Sequence, residues 1–237
     1  MIVYNEERII EKTLSSIANL ASEIVILDSF STDNTLNILK KFNVRLYQEK
    51  WQGYAKQKNL ALSKCSGDWI LVLDADEIIT ESLKDEILSV IQKPSECSGF
   101  KIKRKLFIGD KWIKHGGFYP DYQLRLVKNS IGASFKDREV HESINLNGKI
   151  GLLRTPLEHY AYTDLKDFDG SLQKYSILAS KEIKKRKFYF PFLRAVWAFG
   201  YRYFFRFGFL DGRLGFEALW LYSNYVYNKY KLASSRC

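Results

Sequence analysis

Asp74-Ala75-Asp76 is the tripeptide of this sequence best suited to chemistry. It follows the apolar run Trp69-Ile70-Leu71-Val72-Leu73. Side chains at i and i+2 of an extended chain share a face, so both carboxylates can address one ion. Hard divalent cations take oxygen ligands, commonly one or two carboxylates together with phosphate oxygens. The plainer alternative is that the tripeptide only opens the next helix, with Asp76 or Thr80 as the N-cap. No G-x-G-x-x-G follows the first apolar run, and no G-x-x-x-x-G-K-[ST] occurs anywhere. A nucleoside-diphosphate site in this chain therefore needs another way to neutralise phosphate, and a metal held by carboxylates supplies one.

Positioning such a pair requires a sheet. Ile2 to Tyr4, Glu23 to Leu27, Val44 to Tyr47 and Trp69 to Leu73 read as strands, and residues 6–20, 35–42 and 52–63 as helices. The alternation predicts an α/β fold with a mostly parallel sheet flanked by helices. The polar clusters Tyr4-Asn5-Glu6, Asp28 to Asp33 and Asp74 to Asp76 each fall just after a strand. Open α/β sheets bind ligands at the carboxyl ends of their strands, so the three clusters are expected to converge on one cleft. From Gly99 to about Tyr162 short extended runs broken by Gly, Asn and Asp predict a loop-rich antiparallel half, followed by helix from Asp164. The chain thus divides into regions 1–98, 99–183 and 184–237.

The last region differs in composition. Of the net charge of +10, it carries +9, with eleven Lys or Arg against Asp211 and Glu217. It is also dense in aromatic residues. At about 100° per residue, Lys187, Arg194, Arg202 and Arg206 share one arc of a helix and rings fill the rest. This predicts an aromatic and basic helical tail lying on an anionic membrane surface through residues 187–230. A core helix with paired arginines is the alternative. Nucleic acid is not expected as a partner, because the body of the chain is close to neutral. No run of 18 apolar residues occurs, and Met1-Ile2-Val3-Tyr4-Asn5-Glu6 has no signal-peptide character. Cys65, Cys97 and Cys237 are widely spaced, which argues against a disulfide framework and fits a reducing compartment.

Four motifs in register carry a family resemblance: Val3-Tyr4-Asn5-Glu6, Asp28-Ser29-Phe30-Ser31-Thr32-Asp33-Asn34-Thr35, Gln57-Lys58-Asn59 and Asp74-Ala75-Asp76. Their order resembles that of family 2 inverting glycosyltransferases of the GT-A fold. Tyr119 to Leu126, Val140-His141-Glu142 and Leu157-Glu158-His159-Tyr160 look like a bacterial subgroup that includes β-glucosyltransferases of the lipopolysaccharide core. The resemblance covers nearly the whole chain. It implies that 1–98 binds a nucleotide-sugar and that 99–183 forms the acceptor and catalytic half. Tyr4, Asn5 and Glu6 would lie near the donor base and ribose, with Asp28 at the uracil or ribose. Lys58 and Asn59 would approach the diphosphate, although Lys58 also fits a solvated helix face. Asp74 would contact ribose or metal-bound water, Asp76 would ligate Mg2+ or Mn2+, and His159 would join Asp76 and Asp74 as a metal ligand. One departure is expected to matter: the family's first strand is usually several residues longer, and a clipped central strand exposes sheet edges and lowers stability.

Inverting transfer needs a base to take the acceptor hydroxyl proton. Glu142 is the first candidate and Asp121 the second, each with a salt bridge to Arg125 or Arg138 as its structural alternative. His141 could orient Glu142, and His115 could line the acceptor pocket. The resulting expectation is metal-dependent transfer from a UDP-sugar, UDP-glucose foremost, to a glycolipid or lipopolysaccharide-core acceptor. The setting implied is the cytoplasmic face of a bacterial inner membrane. Two rivals remain: a nucleotidyl or phosphoryl transferase using the same carboxylates, and a non-catalytic membrane-surface protein with a degenerate transferase body.

Overall fold

Apolar runs separated by polar turns give the first third of the chain an alternating order. β1 (Ile2–Val3), α1 (Ile10–Ile17), β2 (Val25–Asp28), α2 (Thr35–Leu39), β3 (Arg45–Gln48), α3 (Tyr54–Ser63) and β4 (Trp69–Leu71) follow one another. β5 (Glu77–Ile78), α4 (Glu81–Gln92), β6 (Cys97–Ile108), β7 (Lys111–Trp112) and β8 (Asp121–Lys128) come next. The computed structural model describes residues 1–93, 96–135, 144–183 and 190–235. The chain forms two compact units, Met1–Arg104 with Tyr122–His159, and Lys105–Asp121 with Tyr160–Cys237. β6 runs unbroken through the boundary expected at residues 98 and 99.

In the first unit β1, β2 and β3 pair in parallel, as strands joined by crossover helices must. α1 sends Ile10, Leu14 and Ile17, at helical spacing, into a core with Val3, Ile26, Leu39 and Leu73. Each such side chain contributes roughly 1.5–3 kcal/mol by leaving water. The expected fourth parallel strand behaves differently. β4 pairs antiparallel with β8, Ile70 opposite Val127, in a separate mixed sheet. With β12 (Leu157–Tyr162), its order is β4-β8-β6-β12-β5, and β7 and β11 (Lys149–Leu152) also pair with β6. β1 contributes two residues and pairs only with β2 among the described strands. A cavity of about 310 Å3 is lined there by Met1, Val25, Leu62, Trp69, Leu71 and Ile91. Short β9 (Ser134–Phe135) and β10 (Ile144–Asn145) pair antiparallel beside it.

The second unit is mainly helical: α5 (Leu165–Glu182), α6 (Pro191–Gly200) and α7 (Gly212–Ser234), with α5 and α6 both packed on α7. Its core joins Ile108, Ile113, Phe168, Leu172 and Ala218. Asp164 caps α5 by accepting from the Asp167 amide at 2.8 Å. The tail turns at Asp211-Gly212 into a further helix, as its sequence suggests, but the arginine-bearing stretch before that turn is not the regular helix that its spacing predicts. A π turn at Tyr201–Phe205 and a 3-10 turn at Gly208–Asp211 intervene. Arg202 accordingly turns inward, donating to the Gly116 carbonyl at 2.6 Å and stacking on the Tyr222 ring at 3.9 Å. The close fold-back needs glycine, since a Cβ on Gly215 would lie 2.3 Å from the Gly208 carbonyl oxygen. Arg194 and Arg206 are exposed, whereas Lys187 lies outside the described residues. Among the described residues no helix is long and apolar enough to cross a membrane.

Candidate active site

The loops that leave β1 and β2 are laced together. The Asn5 amide donates to Ser31 Oγ at 2.9 Å, and the Asn5 side chain accepts from the Thr32 amide at 2.8 Å. The Glu6 amide donates to Thr35 Oγ1 at 2.8 Å. Asn5 and Phe30 both take left-handed φ, 55° and 63°, a conformation that is costly for a ring-bearing residue. Asp28 holds the second loop in that shape. It is fully buried and accepts from the Ser31 amide and from Gln48 Nε2 at 3.0 Å. Tyr4 and Phe30 stand exposed at the rim of these loops.

The Asp74-Ala75-Asp76 turn follows β4 and is clamped from α1, where the buried Thr13 hydroxyl donates to the Ala75 carbonyl at 2.6 Å. Thr80, not Asp76, caps α4, accepting from the Leu83 amide at 3.3 Å. The turn's carboxylates are therefore not spent on helix capping. Asp74 receives Lys58 Nζ on Oδ1 at 2.9 Å and the Arg125 guanidinium on Oδ2 at 2.5 Å. Arg125 also binds Glu77, which is fully buried and takes Arg104 at 3.3 Å. Burial alone would push the Asp74 carboxyl up, but Arg125 and Lys58 hold it well below its usual value.

Asp76 has a different partner. Its Oδ2 lies 3.3 Å from His159 Nε2, contributed by β12. Burial opposes both charges, yet each favours the other: the Asp76 carboxyl is lowered and the His159 imidazole raised. Burial, then the charge of Asp76, pushes the Glu6 carboxyl up to about 7. Glu6, Asp74 and Asp76 thus share one electrostatic neighbourhood, as convergent strand ends predicted. Among the described residues no group of three His, Cys, Asp or Glu forms a ready metal cage. The donor set nearest to one is Asp76 with His159, because both Asp74 oxygens are engaged by Lys58 and Arg125. The Asp76 carboxylate is the donor of this pair that suits Mg2+ or Mn2+, with diphosphate oxygens able to complete the coordination, whereas an imidazole nitrogen is a softer ligand than either cation prefers.

Two expected site residues serve the frame. Asn59 donates to the Phe135 carbonyl at 3.0 Å and accepts from its amide at 2.7 Å, pinning β9. Asp28 is spent on its own loop. Glu142 and His141 lie outside the described residues, and Asp121 is the first residue of β8, on the second unit's side of the division. His115, in the second unit, pairs through Nδ1 with Asp211 at 2.9 Å. Glu77 and Arg104 are site residues beyond those expected from the sequence, and Arg125 is expected there only as an ion-pair partner. The available signal was charge out of pattern: Arg125 stands between Leu124 and Leu126 in a buried strand, where a charged group needs a partner.

Comparison with known proteins gives the family. The glycosyl transferase family 2 model matches residues 1–147. An uncharacterized glycosyltransferase of Rickettsia typhi is 32% identical over 232 residues, covering 90% of this chain and 78% of that one. Lipopolysaccharide core biosynthesis glycosyltransferase LpsC of Rhizobium meliloti is 30% identical over 194 residues, covering 79% and 72%. The crystal structure of S. aureus TarS 1-349 in complex with UDP shares the fold, with TM-score 0.50 at 22% identity over 75% of this chain and 63% of that chain. The chain belongs to glycosyl transferase family 2 and is a glycosyltransferase.

Proposed function

We propose that this enzyme inverts the anomeric centre as it moves a sugar from a UDP-sugar, UDP-glucose foremost, to a hydroxyl of a glycolipid or lipopolysaccharide-core acceptor. The observation that carries the proposal is the Asp76–His159 pair beside an Asp74 already neutralised by Lys58 and Arg125. That division leaves one carboxylate and one imidazole for Mg2+ or Mn2+, while Lys58, held on Asp74 beside them, approaches the diphosphate. The cation, when bound, acts as a Lewis acid that stabilises the departing diphosphate. Tyr4, Asn5 and Glu6 face the base and ribose, and Asp28 keeps their partner loop in its strained shape. In the transfer the acceptor oxygen bonds to the anomeric carbon, the bond to the diphosphate breaks, and the hydroxyl proton passes to a carboxylate. Glu142 is assigned that role, with Asp121 second. Similarity to LpsC supports the acceptor class, and the fold shared with a protein solved with UDP is in keeping with the donor class.

The test is UDP release from UDP-glucose with and without Mn2+, with glycolipid extract as acceptor. Asp76→Asn is expected to lower metal-dependent turnover by about a thousandfold, the scale of losing one charge-stabilising group. Metal-independent binding of UDP that is indifferent to Asp76→Asn would overturn the reading.

A further inference from the structure

Of the twenty-two large hydrophobic side chains exposed among the described residues, thirteen lie between Phe190 and Trp220 in the second unit. On α6 they include Phe192, Leu193, Val196 and Trp197, each more than half exposed. Soluble monomers rarely display so continuous an apolar face. Beside it, α6 and α7 enclose an open groove of about 450 Å3 whose apolar wall includes Phe190, Leu193, Trp197 and Val226. Its charged rim is Arg194 and Lys229, and no acidic side chain lines it among the described residues. Both cations sit on one ring: the Arg194 guanidinium is 4.4 Å and Lys229 Nζ 5.2 Å from the centre of Tyr230. Burial, then the charge of Arg194, lowers the Lys229 pKa. Two like charges held together at the mouth of an apolar groove invite an anion with an apolar body attached.

We propose that this face docks on an anionic phospholipid surface, with Arg194 and Lys229 seating a headgroup phosphate and the α6 aromatics entering the headgroup layer. Charge decides the occupant. The described residues 190–235 carry six Lys or Arg against Asp211 and Glu217, a net +4, so two copies of the face repel one another while an anionic bilayer attracts it. The helices lie in the interface and do not span it. This deepens the reading of a glycolipid acceptor and rests on it only for its purpose. Vesicle binding needs neither donor nor acceptor, so either reading can fail alone.

The full chain is sedimented with vesicles of phosphatidylcholine alone and of phosphatidylcholine with phosphatidylglycerol. Binding is expected only to the anionic vesicles. Each basic group near such a surface contributes about fivefold in partitioning, so Arg194→Gln with Lys229→Gln is expected to weaken binding by roughly twentyfold or more. Phe192→Ser with Trp197→Ser is expected to remove it, with circular dichroism and melting temperature checking that both variants fold. Equal binding to the two vesicle types, or binding indifferent to both double variants, overturns the proposal. So does a wild type that ignores vesicles and sediments as a dimer that Trp197→Ser dissociates.

Discussion

The candidate site of the first unit and the groove of the second treat positive charge differently. In the first, cations at the candidate site are matched by acids of the same chain: Lys58 and Arg125 share Asp74, and Arg125 and Arg104 share Glu77. In the second, Arg194, Lys229 and Arg202 rest on the rings of Tyr230 and Tyr222, and among the described residues the groove between α6 and α7 has no acid in its lining. A ring face attracts a cation without neutralising it. The first arrangement fixes side chains in a dry interior for one small charged ligand. The second leaves charge available to something outside the chain, which suits an extended surface.

The largest expected effect comes from breaking the matched arrangement at its centre. Arg125→Leu strips the half-buried Asp74 and the buried Glu77 of their shared partner, and losing one member of a buried ion pair costs about 3–5 kcal/mol. Thermal unfolding should show it, and Arg125→Leu with Glu77→Leu should recover part of the loss. A single variant as stable as the wild type would mean that the network is not buried as described. Lys58→Met ranks next. Asp74 keeps Arg125, so the fold should hold. UDP affinity should fall roughly ten- to hundredfold, the worth of about 1.5–3 kcal/mol for a hydrogen bond to a charged group. Calorimetric titration of UDP in the presence of Mn2+ measures it, and unchanged affinity would place Lys58 outside the phosphate site.

Much of the first unit was legible in the sequence because it obeys local rules. Apolar runs became strands, the polar clusters after them met, and Asp76 found the histidine 83 positions downstream in β12. What escaped was non-local. Arg125 reads as one more charge in β8, and only pairing of β8 with β4 brings it to Asp74. The antiparallel placement of β4 escaped for the same reason: an apolar run does not state its partner. In the tail, helical spacing placed Arg202 on the outer stripe. In the structure Arg202 lies inside a π turn and points inward, to the Gly116 carbonyl and the Tyr222 ring.

That reversal separates two neighbouring arginines and sharpens the contrast within the second unit. Arg202→Leu loses the bond to the Gly116 carbonyl and the stack on Tyr222, and should destabilise by about 1–2 kcal/mol. Arg206→Leu, at an exposed side chain, should stay within about 0.5 kcal/mol. Equal losses would restore the regular helix that the sequence alone suggested.

The smallest effect tests the first unit's rule far from the site, in the turn before β2. Glu23 accepts from the Ser66 and Gly67 amides, the Ser66 hydroxyl and Arg45. Led by the Ser66 amide, these bonds hold its carboxyl down to about 2, from an ordinary 4.5. A carboxyl whose folded value lies below its unfolded one stabilises above the unfolded value and loses that contribution as pH falls toward the folded one. The stability gap between wild type and Glu23→Gln should therefore be constant above about pH 5 and close progressively toward pH 2. Because Glu23 is near the surface, the gap should not exceed about 1 kcal/mol. Denaturant titrations across that range read it directly. A gap that persists unchanged at pH 2 would show that Glu23 works by shape and not by charge, and that acid matching in this unit is confined to the candidate site.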